Sequence, residues 1–333
     1  MTEKFRLLNN HFPPKNQTVS ETEQFTAEIP LELAGLRLDQ ALAGLFPEFS
    51  RSKLQSWIKG GHVLLDGAAQ NPKHKVMGGE QVELSAEIEV ETDCEPENIP
   101  LDIVYEDDAL LVVNKPAGLV VHPAAGHRVG TLQNALLHHA PSLAGIARSG
   151  IVHRIDKDTS GLLMVAKTLR AHKSLVDQLQ AHSIDREYLA LAQGYLTAGG
   201  TVDEPIGRHP TDRKRFAVRQ DGKPSVTHYR IAERLPGHTL LRVKLETGRT
   251  HQIRVHLAHI RHPLLGDPVY GGRLRLLPGG NLELGETLRG FRRQALHAEK
   301  LGLEHPGSGE RLEWRVEMPQ DMQILLEALR QAT

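Results

Sequence analysis

The chain has 333 residues, of which 39% are hydrophobic and 24% are charged, a composition typical of a globular protein long enough for two domains. Its single cysteine, Cys94, excludes an internal disulfide framework and a multi-cysteine zinc site. No stretch approaches about 18 consecutive apolar residues, and residues 1–5 lack a signal-peptide pattern. We therefore expect a cytoplasmic protein that does not enter a membrane.

The net charge of −1 hides an uneven distribution along the chain. Residues 1–110 contain 9 basic and 20 acidic residues, whereas residues 205–261 contain 13 basic and 4 acidic residues. A basic segment of this kind is typical of a protein that contacts a polyanion, although ordinary solvated charge is an alternative. Five of its residues are candidates for binding phosphates: Arg208, Arg213, Lys214, Arg215 and Arg219.

Composition and pattern divide the chain into four segments. Residues 1–25 are polar and aperiodic, which predicts a disordered tail. Residues 26–86 form a compact predicted ααβ unit, in which two helices precede the strands. Residues 87–100 are acidic and contain two prolines, so we expect an exposed linker there. Residues 101–331 form the second and larger domain.

The second predicted helix of the small unit covers residues 51–59 and ends at two glycines, and a hairpin turn follows at Asp66-Gly67. This order of helix pair, double glycine and Asp-Gly turn resembles the S4 RNA-binding module. The resemblance implies that Arg51, Ser52 and Lys53 face RNA phosphate at the start of that helix. Helix capping and solvated charge are the alternative for the same three residues.

Strand-like segments outnumber helical ones in residues 101–331, and short turns join most of them. Residues 249–258 fit a helix better than a strand, and the glycine-rich residues 270–294 predict a long exposed loop. The predicted fold class is α+β: a larger domain with a large mixed, mainly antiparallel sheet flanked by helices, preceded by the small S4-like domain.

The most polar loop between apolar segments lies in residues 150–167, GIVHRIDKDTSGLLMVAK. A calcium loop beginning at Asp156 fails, because its twelfth position is the cation Lys167 instead of a carboxylate. A phosphatase with a nucleophilic aspartate is also disfavoured, because Thr159 stands one position too early for the Asp-x-Asp-x-Thr pattern. A purely structural turn stays open on composition alone.

Several motifs together resemble the RluA-type pseudouridine synthases, in order and in spacing. The matching stretches are His153-Arg154-Ile155-Asp156, Arg186-Glu187-Tyr188, the segment 247–256 (TGRTHQIRVH) and Asn114-Lys115-Pro116-x-Gly118. Ile155 and Ser160 depart from the family's usual leucine and threonine, which leaves the chemistry unaffected. The resemblance implies isomerisation of uridine to pseudouridine in large-subunit ribosomal RNA, with the helix 69 stem-loop of 23S rRNA as the expected target.

The family pattern also implies a role for each site residue. Asp156 is the catalytic carboxylate that acts at the ribose C1′, and Arg249 is the guanidinium that keeps it ionised. Tyr188 stacks on the extruded uracil, and Arg154 enters the vacated base stack. Ile253 forms a wall of the pocket, although a role in the core alone is an alternative for this residue.

The resemblance implies no small-molecule cofactor and no metal. Four clustered histidines, at positions 251, 256, 259 and 262, invite a metal interpretation, but zinc sites usually add cysteine or carboxylate ligands. The expected partner is 23S rRNA or a large-subunit precursor, and we expect a monomer. The alternative function is a non-catalytic S4-type RNA-binding or ribosome assembly factor, against which intact Asp156, Tyr188 and Arg249 argue.

Overall fold

A computed structural model describes residues 20–46, 49, 51–89, 94–123, 129–212, 215–274 and 282–332. Several predicted features lie partly or wholly outside these residues. They are residues 1–19 of the tail, residues 90–93 of the linker, residues 275–281 of the glycine-rich loop, Arg213 and Lys214. None of the helices within the described ranges is both long and apolar enough to cross a membrane.

The N-terminal domain consists of a four-stranded antiparallel sheet covered by two helices. Its elements are β1 (Ser20–Glu28), α1 (Leu38–Leu45), α2 (Arg51–Lys59), β2 (Val63–Leu65), β3 (Ala68–Ala69) and β4 (Gln81–Glu89). The strand order is β1-β4-β2-β3. Leucines at helical spacing on α1, together with Leu54, Trp57 and Ile58 on α2, bury their side chains against this sheet. The predicted helix pair is thus present.

The predicted tail is wrong in its last residues. Residues 20–25 belong to β1, which pairs along its whole length with β4, from Ser20 opposite Glu89 to Glu28 opposite Gln81. Phe25 is buried and stacks edge-on against Phe46 and Phe49. The polar alternation of a half-buried edge strand had the same appearance as an aperiodic tail.

The larger domain contains eleven strands and five α-helices among the described residues. In chain order they are β5 (Ile103–Glu106), β6 (Leu110–Lys115), α3 (Leu132–His139), β7 (Ser160–Ala166), α4 (Leu169–Gln180), β8 (Asp185–Gln193), β9 (Gly200–Asp203), β10 (Ile206–Arg208), β11 (Phe216–Val218), β12 (Val226–Leu235), β13 (His238–Leu245), α5 (Gln252–His259), α6 (Leu282–Gly290), β14 (Leu296–Glu304), β15 (Arg311–Arg315) and α7 (Gln320–Gln331).

Nine of these strands form one mixed sheet in the order β5-β6-β7-β14-β8-β13-β12-β9, with β15 paired to β14. Only the β7–β14 pair within it is parallel among the described strands, which confirms a mixed, mainly antiparallel sheet. Because β7 and β14 are central, the end of the polar loop at Ser160 is fixed deep within the sheet.

Two further expectations about this domain are corrected. Residues 282–290 form α6, whose Leu284 and Leu288 pack with α7, so only part of the 270–294 segment is irregular. Of the predicted linker, residues 87–89 belong to β4, and residues 90–93 lie outside the described ranges. Cys94 is buried in the main core, and the Asn134 side chain donates to the Glu95 carbonyl at 2.7 Å. That end of the linker is therefore docked on α3.

Gly161 shows how closely β7 and β14 approach. It has φ +112°, and a Cβ atom there would lie 2.3 Å from the Ala298 carbonyl oxygen.

We expect Gly161→Ala to destabilise the protein by about 3 kcal/mol, because backbone atoms must move to admit the methyl group. Gly309→Ala is the matched control, since Gly309 also has positive φ (+75°) but open space around it. The control change should cost about 1 kcal/mol in urea unfolding, and equal losses would contradict the close approach.

Candidate active site

The polar loop enters and leaves through different parts of the fold. The apolar segment before the loop makes one isolated β-bridge, between Ile151 and Val165. The Thr159 N–H donates to the Asp156 carbonyl at 3.1 Å and closes the turn from which β7 begins. The Thr159 hydroxyl accepts from Gln294 at 3.1 Å, which ties the turn to the segment leading into β14. The loop is therefore held at both of its ends.

A buried lysine supports the loop from below. The Lys115 ammonium donates to the carbonyls of Pro116 (2.8 Å), Leu119 (2.9 Å) and Lys157 (2.9 Å), so it ties the end of β6 to the loop. Burial lowers the pKa of Lys115 to about 7, against the opposing charges of Asp158 and Asp156. Three carbonyl acceptors stabilise the charged form where no carboxylate contacts it directly.

The loop, α5 and β8 line a cleft of about 1200 Å³. All five residues predicted for catalysis or for the pocket lie along it: Arg154, Asp156, Tyr188, Arg249 and Ile253. Their exposure differs in a way that fits different tasks, because Arg154 is exposed whereas Tyr188 and Ile253 are buried. The structure thus brings together residues that are almost 100 positions apart in the sequence.

The ion-pair partner of Asp156 is Arg254, and not Arg249 as predicted. The Arg254 Nη1 donates to Asp156 Oδ2 at 2.9 Å, whereas Arg249 is exposed and its Nε donates to the Pro224 carbonyl at 3.3 Å. Both arginines belong to the same motif, but only Arg254 lies within α5, where its side chain turns toward the loop. The sequence could not separate them, because the start of the helix decides which guanidinium faces Asp156.

Arg254 is itself held by a second carboxylate. Asp267 accepts from Arg254 Nε at 2.7 Å and from Nη2 at 2.8 Å, and it also accepts the N–H groups of Val269 and Tyr270. Burial favours protonation of Asp267, but these donors outweigh it and lower the pKa of its carboxyl. Burial likewise opposes the charge of Arg254, yet its two carboxylate partners raise the pKa of the guanidinium. The sequence analysis assigned no role to Asp267.

A second set of groups surrounds this pair. The Tyr270 ring lies 5.1 Å from the Arg254 guanidinium, and its hydroxyl is 2.9 Å from His251 Nδ1. His251 Nε2 is 3.9 Å from Asp156 Oδ1, and burial lowers the pKa of His251 despite the nearby carboxylate. The imidazole beside the Asp156 carboxylate is therefore neutral, so the main positive charge next to Asp156 comes from Arg254.

Tyr188 lies on β8 in the wall of the cleft. Burial raises the pKa of Tyr188, with Asp156 adding to the increase and Arg186 opposing it. The phenol is thus neutral near pH 7, which is compatible with the predicted stacking of this ring on an uncharged base.

Comparisons with known proteins identify the family. Residues 109–259 match the family model described as RNA pseudouridylate synthase, and residues 36–82 match the S4 domain model. The chain is 57% identical over 313 residues to ribosomal large subunit pseudouridine synthase D of Escherichia coli O6:H1, covering 94% of this chain and 96% of that protein. The corresponding Pseudomonas aeruginosa protein is 56% identical over 94% of this chain and 98% of its own length.

The chain belongs to the RNA pseudouridylate synthase family. Its structure is also similar to human RNA pseudouridylate synthase domain containing 4, with a TM-score of 0.54 and 25% identity over 68% of this chain and 92% of that chain. The predicted family and the predicted enzyme class are confirmed, and a non-catalytic assembly factor is the weaker interpretation.

The predicted RNA-binding residues that the structure describes do not line the cleft, and Arg213 and Lys214 are outside the described residues. In the basic segment, Arg208 contacts the Phe216 ring and Arg215 contacts the Tyr270 ring, whereas Arg219 pairs with Asp221 at 2.7 Å. In the S4 domain, Arg51 pairs with the fully buried Asp39 at 2.8 Å, and Lys53 lies over Trp57. Arg51 and Arg219 thus share their charge with carboxylates, while their exposed edges still face solvent.

Within the described ranges, no group of three or more histidine, cysteine or carboxylate residues is arranged to hold a metal ion. The clustered histidines of the synthase make other contacts. His256 contacts the Thr227 hydroxyl at 2.8 Å and the Glu204 carbonyl at 2.9 Å, and His262 contacts the Gln193 carbonyl at 2.9 Å.

Replacing Arg254 tests the corrected ion pair. Arg254→Met leaves Asp267 buried without its cationic partner, so we expect a loss of about 3 to 5 kcal/mol in the free energy of unfolding. Arg249→Met removes an exposed arginine of the same motif and should cost less than about 1 kcal/mol. Urea titration at neutral pH measures both changes. A larger loss for the Arg249 variant would restore the original assignment.

His153 makes the synthase sensitive to acid. Its Nε2 accepts from the Met164 N–H at 3.1 Å, and burial, followed by the charge of Arg186, lowers the pKa of His153 to about 3. The unfolded chain, with an ordinary histidine pKa near 6.5, binds more protons between these values, so stability falls as the pH drops from about 6.5 to 3.

At pH 5 we expect His153 to account for about 1 to 2 kcal/mol of lost stability relative to pH 7. His153→Gln keeps an acceptor for Met164 but does not titrate, so its loss between pH 7 and pH 5 should be smaller by that amount. His138→Gln, at an exposed position of α3, is the control and should follow the wild type. Parallel behaviour of all three proteins in thermal unfolding would exclude His153 as the titrating group.

Proposed function

We propose that this synthase converts uridine to pseudouridine in large-subunit ribosomal RNA, at the helix 69 stem-loop of 23S rRNA. The observation that carries the proposal is the Asp156 carboxylate, held by Arg254 at 2.9 Å in the wall of a cleft large enough for an extruded nucleotide. The target class is supported by the names of relatives that are 56–57% identical over 94% of the chain. The proposed location of the protein is the cytoplasm, where this RNA is assembled.

In the proposed reaction, the N1–C1′ bond of uridine breaks, the uracil turns, and C5 bonds to C1′. The C5 proton leaves and N1 gains a proton, so atoms balance without a redox step or a cofactor. Positive charge develops at the sugar as the bond breaks, and the ionised Asp156 acts on C1′. The Arg254 guanidinium fixes the direction of that carboxylate and takes the place of Arg249, to which the family pattern assigned the role of keeping Asp156 ionised.

The remaining cleft residues handle the extruded base. The buried, neutral Tyr188 offers its ring for stacking, and Ile253 closes the pocket beside it. Arg154 is exposed two residues before Asp156, so its planar guanidinium can occupy the space in the RNA stack that the uracil leaves. Arg51, Ser52 and Lys53 of the S4 domain and the basic segment around Arg208, Arg215 and Arg219 contact phosphates farther from the target.

Tritium release from 23S rRNA labelled with [5-³H]uridine tests the function. The wild type should release tritium, whereas Asp156→Asn should reduce the rate at least about a thousandfold, because an amide cannot act as the anion at C1′. Asp158→Asn is the matched control, since it removes a carboxylate from the same loop outside the cleft lining, and it should retain release.

Mapping the modified positions tests the target separately. Carbodiimide labelling and reverse transcription of the treated 23S rRNA should locate pseudouridines within helix 69. Pseudouridines found only elsewhere in the RNA would refute helix 69 as the target but not the synthase activity. If the wild type released no tritium, on free rRNA or on large-subunit precursors, the proposed function would be refuted.

A further inference from the structure

One arm of the cleft runs along α4. Six residues line it, and we call it the α4 groove: Arg148, Val176, Leu179, Gln180, His182 and Arg186. Its floor is formed by half-buried Val176 and Leu179, and an arginine lies toward each end. No catalytic role described above uses this arm.

Arg186 is an unusual residue at one end of the groove. It is only 7% exposed, and its Nη2 donates to the Glu246 carbonyl at 3.2 Å. Its Nε is buried without a hydrogen-bond partner, and no described carboxylate forms an ion pair with the guanidinium. The carboxylate of Glu246 contacts His228 instead, at 2.6 Å. A buried guanidinium that lacks an anion is costly, so its geometry calls for an anionic ligand from outside the chain.

Arg148 stands at the other end, on a strained backbone. Arg148 and Ser149 have φ +53° and φ +50°, a left-handed conformation that is unfavourable for two successive residues other than glycine. The Ser149 hydroxyl accepts from Gln133 Nε2 at 3.2 Å, and Gln133 Oε1 lies 3.2 Å from His122 Nδ1. This network maintains the strained turn, whose effect is to direct the exposed Arg148 to the groove.

The two arginines are spaced along α4. Arg148 acts electrostatically on His172 in the first turn of the helix, and Arg186 shares the Glu246 carbonyl with His182 just beyond its last turn. His172 and His182 are ten residues apart along α4 and the turn that follows it, which corresponds to about 15 Å, the rise of roughly four stacked nucleotides. An apolar floor between two cationic ends suits bases above it and phosphates at either side.

We infer that the α4 groove holds the RNA strand next to the target uridine, with Arg148 and Arg186 each binding a backbone phosphate. The inference rests on the proposed function for its ligand, and it adds two contacts that position the strand without reading its sequence. The chemistry that the groove recognises is a phosphodiester chain with exposed bases.

The test measures how salt weakens RNA binding. The proteins are the wild type, Arg148→Met, Arg186→Met and the control Arg170→Met, which removes an exposed arginine of α4 that does not line the cleft. The probe is a 23S rRNA transcript containing helix 69, bound at several salt concentrations. Each groove variant should lower the slope of log K against log salt by about 0.7 to 1, whereas the control should keep the wild-type slope.

Kinetics give a second readout, because a phosphate contact acts mainly in binding. Both groove variants should raise KM for the transcript more than they lower kcat in tritium release. Arg186→Met should fold, since replacing an unpaired buried charge by an apolar side chain is neutral or stabilising, and the exposed Arg148 tests the groove independently.

Unchanged slopes in both groove variants, or an equal change in the Arg170 variant, would overturn the inference. A change in only one groove variant would overturn the two-point arrangement. The wild type separates the two hypotheses: altered slopes without any tritium release by the wild type would support the groove and refute the proposed function.

Discussion

The candidate active site depends on two ion pairs that share one arginine: Asp267 binds Arg254, and Arg254 binds Asp156. Asp267 is buried, so its charge is tolerable only because a bidentate guanidinium and two backbone N–H groups satisfy it. The third donor of the same guanidinium is thereby aimed at the loop. Asp156 receives a fixed, permanently charged partner whose position is set by a carboxylate that no substrate reaches.

Within the polar loop, the backbone near Asp156 is held in place, whereas the side chain of Arg154 is exposed to solvent. The backbone around Asp156 is fastened by Lys115 from below and by Gln294 from the neighbouring strand segment. Arg154, two residues earlier, is exposed and belongs to none of these networks. Under the proposed function, a carboxylate that acts on one atom of the ribose gains from a fixed position, whereas a side chain that replaces a base in the RNA stack must extend away from the protein.

The sequence predicted the family, the fold class and the cleft residues, because ordered motifs and strand patterns are local signals. It failed where the answer depended on distant contacts. Arg249 and Arg254 are equivalent as letters in a motif, and only the start of α5 and the position of Asp267 distinguish them. The strand at residues 20–28 and the docked Cys94 segment were also hidden, because each depends on a partner about 40 to 70 residues away. The left-handed turn at Arg148 was hidden as well, because glycine occupies only its last position, Gly150, whereas Arg148 and Ser149 are not residues that mark such a turn.

The parallel pairing of β7 with β14 has a consequence for the order in which a new chain acquires its parts. Ser160, at the end of the polar loop, contacts His297, which is 137 residues later in the chain, and Gly161 lies against Ala298. The S4 domain, in contrast, completes its sheet and core within residues 20–89. During synthesis the S4 domain is therefore complete when less than a third of the chain has been made. The polar loop, in contrast, lacks its neighbouring strand β14 until nearly nine-tenths of the chain has been made. A nascent chain of this protein contains a finished RNA-binding module long before it contains a finished active site.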